Sequence, residues 1–568
     1  MNNISKKYSL HTLLSMLVVC LFFNTNGIAQ STPGQQSGKG EVLYNGIELP
    51  DQWPPKTEDP KSAEPMRVPY LETPPKVIPI NTGRQLFVDN FLIESSDLKQ
   101  VFHTAKKFEH NPVFSAQTKS ELSHVDIGEK GQKAVTYLGH GGVFFDPGEQ
   151  HFKMFYTAGW RGGLAMATSK NLVNWTRPDL GIVNENILLP SGWADAGGDN
   201  SFWLDVNPEN ASEKYKYLTD RGTHNKDRRN HTVQTSKDGK AWTPEVSTGK
   251  ADDYCSFFYN PFRDKWVYSI KRQGIGRARY YSENKDFIKG ADWSNAVFWA
   301  NADKLDEADP LIKDQPQLYS LNAVAYESIM LGEFYILLGP DNRICYEGKF
   351  PKITELKLGF SRDGFHWDRP DRRAFIKPTQ KDGDWDRGYL HGTTGVCLVM
   401  GDELWFPYCG YSGIAPDGSR GMYSGAAIGM AKLRRDGFAS MESEGKKGTL
   451  TTRPVTFDGK HFFVNVDCTE GELKVEILDG NNKIIAPYSL KNSISVKTNK
   501  TLHQIKWKGS PDLSAIKGKP VKFRFHLTNG KLYSFWVSPD ESGASYGYLA
   551  AGGPGYDGVI DTKGKNAY

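Results

Sequence analysis

From Leu86 onward, apolar and polar positions alternate in short runs broken by Gly, Asp, Asn and Pro. A period of two predicts strands, and the three-to-four spacing of a helix is nearly absent. The runs recur as a unit: an aromatic-rich hairpin strand, a strand ending in Ser, then a turn closing on an aromatic. Copies are Phe152–Thr157 with Ser169 to Trp175, Tyr215–Leu218 with Ser236 to Trp242, and Lys265–Ser269 with Ser282 to Phe287. Two more are Phe334–Leu337 with Ser361 to Trp367, and Glu403–Tyr408 with Arg435 to Phe438. In these turns Asp or Asn bonds its own backbone, Gly supplies a positive φ, and the aromatic covers the hairpin. The Ser positions 169, 236, 282 and 361 lie 67, 46 and 79 residues apart, enough for a four-stranded blade plus loops. Five copies predict five blades, closed radially so that few strand edges are left open. The fold class expected is all-β, a five-bladed β-propeller over residues 84–441 followed by a C-terminal β-sandwich over 449–540.

The flanks read differently. Residues 30–83 are rich in Pro, Gly, Ser and Lys, as in Trp53-Pro54-Pro55-Lys56, and predict a linker or a strap lying on the fold. Residues 443–448 read as a linker. Beyond them, strands such as Lys474–Leu478 and Val521–Leu527, with hairpin turns at Asp479-Gly480 and Asn529-Gly530, predict the sandwich. Residues 541–568 are Gly-rich and read as a flexible tail. At the other end, Lys6 and Lys7 precede an apolar run from Leu13 to Phe23, too short to span a bilayer, and then Gly27-Ile28-Ala29. This predicts a signal peptide over 1–29, cleaved near Ala29, and a secreted or periplasmic protein.

Composition narrows the partners. Lys and Arg total 70 against 66 Asp and Glu, a formal charge of +4 with no long basic run, which argues against nucleic acid. No later stretch is apolar enough for a membrane span. Aromatics make up 12%, which suits buried strands and sugar-stacking surfaces alike. Without Cys20 five cysteines remain. Cys397 and Cys409 flank a Gly401-Asp402 hairpin whose register sets Cys397 against Phe406, so buried thiols are expected, with no metal-site spacing.

The five-blade layout and the Ser-x-Asp-Gly-x-x-Trp turns resemble the propeller glycosidases of glycoside hydrolase families 32, 43 and 68. The chain is also similar to a group of secreted, family-32-like bacterial proteins. The similarity rests on Leu86-Phe87-Val88-Asp89-Asn90-Phe91-Leu92-Ile93-Glu94, Phe257-Phe258-Tyr259-Asn260-Pro261-Phe262-Arg263, Ala325-Tyr326-Glu327-Ser328-Ile329-Met330 and Leu433-Arg434-Arg435-Asp436-Gly437-Phe438. The Asn-Asp-Pro-Asn-Gly, Arg-Asp-Pro and Glu-Cys motifs of invertase-type enzymes do not occur. The resemblance therefore implies the fold and glycoside hydrolysis; it does not extend to a β-fructoside and does not give the substrate. The reading taken is hydrolysis of a plant or algal carbohydrate, with Glu327 and a blade-entry Asp as the acid and base pair. A non-catalytic carbohydrate-binding propeller is the alternative, and a phosphorylase on the same scaffold is a third class, which needs a cluster of basic residues for phosphate such as Lys271 with Arg272.

Glycoside hydrolysis needs two carboxyl groups across the scissile bond. In a propeller the innermost strand of each blade feeds the axis, so acids at those strands are the candidates. Asp89 opens the first strand, Asp199 precedes the second blade, and Asp253 precedes the third, with Asp252 equivalent by spacing. Glu327 interrupts the apolar run Ala323 to Tyr326 of the fourth, where a charge needs a reason. On this reading Glu327→Gln abolishes hydrolysis and leaves thermal stability nearly unchanged. Arg221 and Arg272 are candidates to bind a sugar carboxylate or sulfate, His140 and His391 open inner strands, and Trp385 offers a stacking platform. No cofactor is required, although an axial metal ion such as calcium has room on this scaffold.

Overall fold

The computed structural model describes residues 40–56, 58–123, 133–139, 141–189, 200–220 and 229–567. Five antiparallel sheets form the blades, and their inner strands line a common axis. Blade 1 runs from Thr136–Tyr137 and Val143–Asp146 through His151–Ala158 and Gly163–Ser169 to Trp175–Thr176 and Ile187–Leu189. Blade 2 is Asn200–Leu204, Tyr215–Asp220, Arg229–Ser236 and Val246–Ala251; blade 3 is Ser256–Asn260, Lys265–Gly274, Gly276–Asn284 and Val297–Ala300. Blade 4 has Gln317–Glu327, Ile329–Gly339 and Ile353–Ser361. Blade 5 has Gly388–His391 and Leu398–Met400 inside, then Glu403–Tyr411 and Ala426–Arg434. Its outer edge is completed by Lys106–Lys107 and Phe114–Ser115, which precede blade 1 in the chain, so blade 5 combines strands from both ends of the propeller.

The repeated turns form as their chemistry requires. In blade 2 the Ser236 hydroxyl accepts the Gly239 amide (2.9 Å), and the Asp238 carboxylate accepts the amides of Lys240 and Ala241 (2.8 and 3.0 Å). Gly239 takes φ +76°, and the Trp242 indole donates to its carbonyl. The same frame recurs at Ser361-Arg362-Asp363-Gly364. Blades meet through large rings, such as Phe155 stacked on Phe202 at 3.8 Å and Trp203 edge-on to Trp266 at 6.0 Å.

The sandwich is built on two long strands, Ala439–Thr452 and Val521–Ser538. One half of Val521–Ser538 pairs with Glu472–Asp479 and the other with His461–Asp467, so the two layers share a strand. Phe462, Phe523, Phe525 and Phe535 fill the space between them. Residues 443–448 are not a linker: they bulge within Ala439–Thr452, which stays paired to Val521–Ser538 on both sides. Ile78–Pro79, Gln85–Leu86, Ile93–Ser96 and Lys99–Phe102 also join this sheet, so the segment just after residue 84 belongs to the sandwich. Residues 541–567 are not a loose tail. Tyr548–Leu549 pairs with the end of Gln317–Glu327, and Ala544, Leu549, Tyr556 and Asp561 are buried. All five cysteines in the described residues are buried free thiols. No helix among the described residues is long and apolar enough to cross a membrane.

Candidate functional site

The inner strands of blades 3 and 4 run side by side in the same sense, which fixes the two ends of the axis. Tyr254, just ahead of Ser256–Asn260, packs 5.0 Å from Tyr319 near the start of Gln317–Glu327. At the opposite end Phe262, just past Asn260, packs 4.9 Å from Tyr548, the strand partner of Glu327. Asp253 and Glu327 therefore sit at opposite ends, with about 26 Å of strand between Tyr319 and Glu327.

At the Asp253 end, His391 is enclosed by tyrosines. The rings of Tyr389, Tyr254, Tyr137 and Tyr319 lie 4.3, 5.0, 5.2 and 5.7 Å from it. Burial, then the nearby Lys352 ammonium, holds His391 well below its ordinary range, so the ring is neutral. Burial likewise keeps the Tyr254 hydroxyl protonated, and it shares a hydrogen bond with His391 Nδ1. Tyr254 adopts φ +62°, and its carbonyl accepts a hydrogen bond from the buried Arg279 guanidinium (2.8 Å). That contact anchors the bend presenting Asp253, whose side chain is 31% exposed.

Lys271 donates a short hydrogen bond to the Asp253 carboxylate. Strand alternation decides this partner: Arg272, the sequence candidate, faces away, donating to the Trp293 carbonyl (3.0 Å) and covering the Tyr280 ring. Lys271, Arg277 and Lys352 lie 4.8, 5.6 and 5.6 Å from the Tyr319 ring. Lys352 lies just ahead of Ile353–Ser361. Its carbonyl accepts the Tyr389 amide (2.7 Å), and a Cβ on Gly388 would collide with that oxygen, so only glycine admits this approach.

The remaining sequence candidates divide. Glu327 is sealed at the far end: Arg435 reaches its carboxylate at 3.0 Å and Arg84 at 3.4 Å, and Ser545 donates to it at 2.7 Å. It does not face the mouth at Asp253. Asp89 is buried in an ion pair with Arg362 (2.7 Å) and caps the Phe91 amide (3.0 Å), tying the N-terminal segment to blade 4. Trp385 packs on Gly429 and 5.3 Å from Tyr408 in the body of blade 5, and is no axial platform. Asp252 bonds Gln273 at 2.9 Å on the outer side. Asp199, Arg221 and His140 lie outside the described residues, as does the expected signal peptide.

Three groups escaped the sequence reading. Asp220, buried, ends Tyr215–Asp220 in blade 2 and lies close enough to help push up the Cys255 thiol, which burial already raises to about 12. Lys352 lies outside the repeated motif and carries no local signal. Glu333 is buried in blade 4 against Gly392, beside the Tyr335 hydroxyl and the Thr393 amide. Burial pushes it up to about 8 from an ordinary 4.5. A carboxyl raised in the folded state contributes stability that is complete below about 4.5 and lost as pH climbs through about 8. Glu333→Gln removes that titration. The variant should gain on wild type as pH rises from 4.5, by up to about 3 kcal/mol at pH 7. Urea midpoints of the two proteins across this range measure the gap; parallel curves would contradict the assignment.

Among the described residues no group of three or more His, Cys, Asp or Glu is placed to hold a metal ion.

No protein-family model matches the chain. Over 132 residues it is 30% identical to a β-1,4-mannooligosaccharide phosphorylase of Ruminococcus albus; the match spans 22% of this chain and 36% of that protein. Among solved structures, an N-acetylgalactosamine deacetylase from F. plautii overlaps 59% of this chain and 96% of its own, with 14% identity and a TM-score of 0.41. A thermostable family-43 glycoside hydrolase overlaps 54% and 92%, with 12% identity and a TM-score of 0.37. An exo-β-1,3-galactanase from Phanerochaete chrysosporium overlaps 77% and 99%, with 12% identity and a TM-score of 0.32.

Proposed function

We propose that this chain is a secreted glycoside hydrolase that cleaves glycosidic bonds in a plant or algal oligo- or polysaccharide. The observation that carries the reading is Asp253: a partly exposed carboxylate at one end of the propeller axis, held by Lys271 and flanked by aromatic rings. A carboxyl in that setting can pass a proton to a leaving sugar oxygen or activate water. The partner carboxyl comes from the neighbouring blade, where Asp220 ends the second strand and Asp199 precedes the first. The curated phosphorylase, whose name gives mannooligosaccharides as substrate, supports a carbohydrate as the ligand.

The test is a panel of plant and algal glycans incubated with the purified mature chain, with released reducing sugar measured by chromatography. Release from at least one glycan is expected. Tight binding of a glycan with no release across the panel would replace hydrolysis by the carbohydrate-binding reading.

A further inference from the structure

The mouth at Asp253 holds more positive charge than that carboxylate balances. Lys271 and Arg277 come from blade 3 and Lys352 from blade 4, and all three cations lie within 6 Å of the Tyr319 ring centroid. Asp253 pairs with Lys271, and Arg277 donates to the Gln317 side-chain carbonyl at 2.8 Å. Lys352 is 3% exposed, and its ammonium makes no hydrogen bond or ion pair with any described residue. It lies over the faces of Tyr319 and Tyr389, at 5.6 and 5.1 Å. A buried ammonium is costly unless an anion offsets it, and cation–π contact recovers only part of that cost.

We infer that Lys352, Arg277 and Lys271 form an oxyanion subsite beside Asp253, able to take a carboxylate, sulfate or phosphate group. The inference rests on the reading of Asp253 as the reaction centre. The anion has two sources with one chemistry: an acid group on the sugar itself, or free inorganic phosphate. An acid group would fix the sugar's register against Asp253. Phosphate would compete with water for the anomeric carbon: its oxygen forms the new bond there while the leaving sugar oxygen departs with a proton, giving a sugar 1-phosphate.

The subsite should also depend on pH. Burial first, then Arg277 and Lys271, bring Lys352 down to about 8, while Asp253 acts in the opposite sense. Cys345, His391 and the tyrosine hydroxyls of 319 and 389 complete its surroundings; His391 stays neutral. Sulfate keeps its charge above neutrality, so its affinity should fall as pH rises past about 8 and Lys352 loses its proton.

Titration calorimetry of the full mature chain tests this with inorganic phosphate, inorganic sulfate, galacturonic acid, and galactose as the neutral control. At least one oxyanion should bind more tightly than galactose. Lys352→Met should weaken it tenfold or more, and Lys352→Arg should largely restore it. Preference for phosphate, with sugar 1-phosphate among the products, selects the free anion; preference for galacturonic acid selects the substrate's own acid group. Either preference supports the subsite. No oxyanion binding to wild type, or equal binding by folded Lys352→Met, overturns it. Oxyanion affinity unchanged in Lys352→Met, with glycan cleavage retained, would overturn the subsite and leave the hydrolase reading standing. Oxyanion binding without sugar release from any glycan would do the reverse.

Discussion

Glu327→Ala is expected to destabilise the protein by about 3–5 kcal/mol, the cost of breaking a buried ion pair from one side. Glu327, Arg84, Arg435, Asp436 and Asp561 are all fully buried. Arg435 reaches Glu327 at 3.0 Å and Asp561 at 3.4 Å; Arg84 reaches Asp436 at 3.1 Å. Asp436 also accepts hydrogen bonds from Tyr326 and Ser534, each at 2.6 Å. Burial raises Glu327, whereas Arg84 and Arg435 together with these hydrogen bonds overcome burial at Asp436 and hold it low. The network joins the N-terminal strand, blades 4 and 5, the sandwich and the C-terminal segment. Removing the Glu327 side chain leaves Arg435 with Asp561 alone and Arg84 with Asp436 alone, and takes their acceptor from the Arg84 amide and the Ser545 hydroxyl that donated to it, in a fully buried site. A drop of about 3–5 °C in the midpoint of the thermal transition should follow. An unchanged midpoint, with activity lost, would return Glu327 to the catalytic role that its place in an apolar strand suggested.

The propeller was legible because its signal is local. A Ser-x-Asp-Gly turn is satisfied within a few residues, as the hydrogen bonds of Ser236 and Asp238 show. What closes the fold is not local. Lys106–Lys107 pairs with Ala431 and Lys432, and Tyr548–Leu549 with Tyr326 and Glu327, across hundreds of residues without a pattern in either partner. The same distinction governs the site. A charge in an apolar strand correctly signalled that Glu327 has a partner, but Arg84 and Arg435 lie 243 and 108 residues away in sequence. At Arg272 the spacing was right within one residue, and strand alternation gave the position to Lys271. Lys352 sits in Phe350-Pro351-Lys352, outside every repeated unit, so only the packing of blade 4 on blade 5 reveals it.

Asp253→Asn is the sharpest probe of the proposed chemistry, because its two readouts should separate. The substitution keeps the shape of the side chain and removes its charge and its proton. Sugar release should fall by about 10³-fold or more, equivalent to about 4 kcal/mol of barrier. Stability should fall by only about 1–2 kcal/mol: Lys271 is buried and loses its counter-charge, but the amide oxygen of Asn still accepts its hydrogen bond and the Asp253 side chain is partly solvated. Asp252→Asn is the matched control: one residue earlier, it bonds Gln273 rather than Lys271 and should retain near-normal turnover. The pair thus discriminates position from charge. Loss in both variants would point to the fold of the loop, and full activity in Asp253→Asn would remove this residue from the reaction altogether. If Asp253 instead only orients Lys271 toward a bound anion, the variant should raise KM for an acidic glycan and leave kcat largely intact.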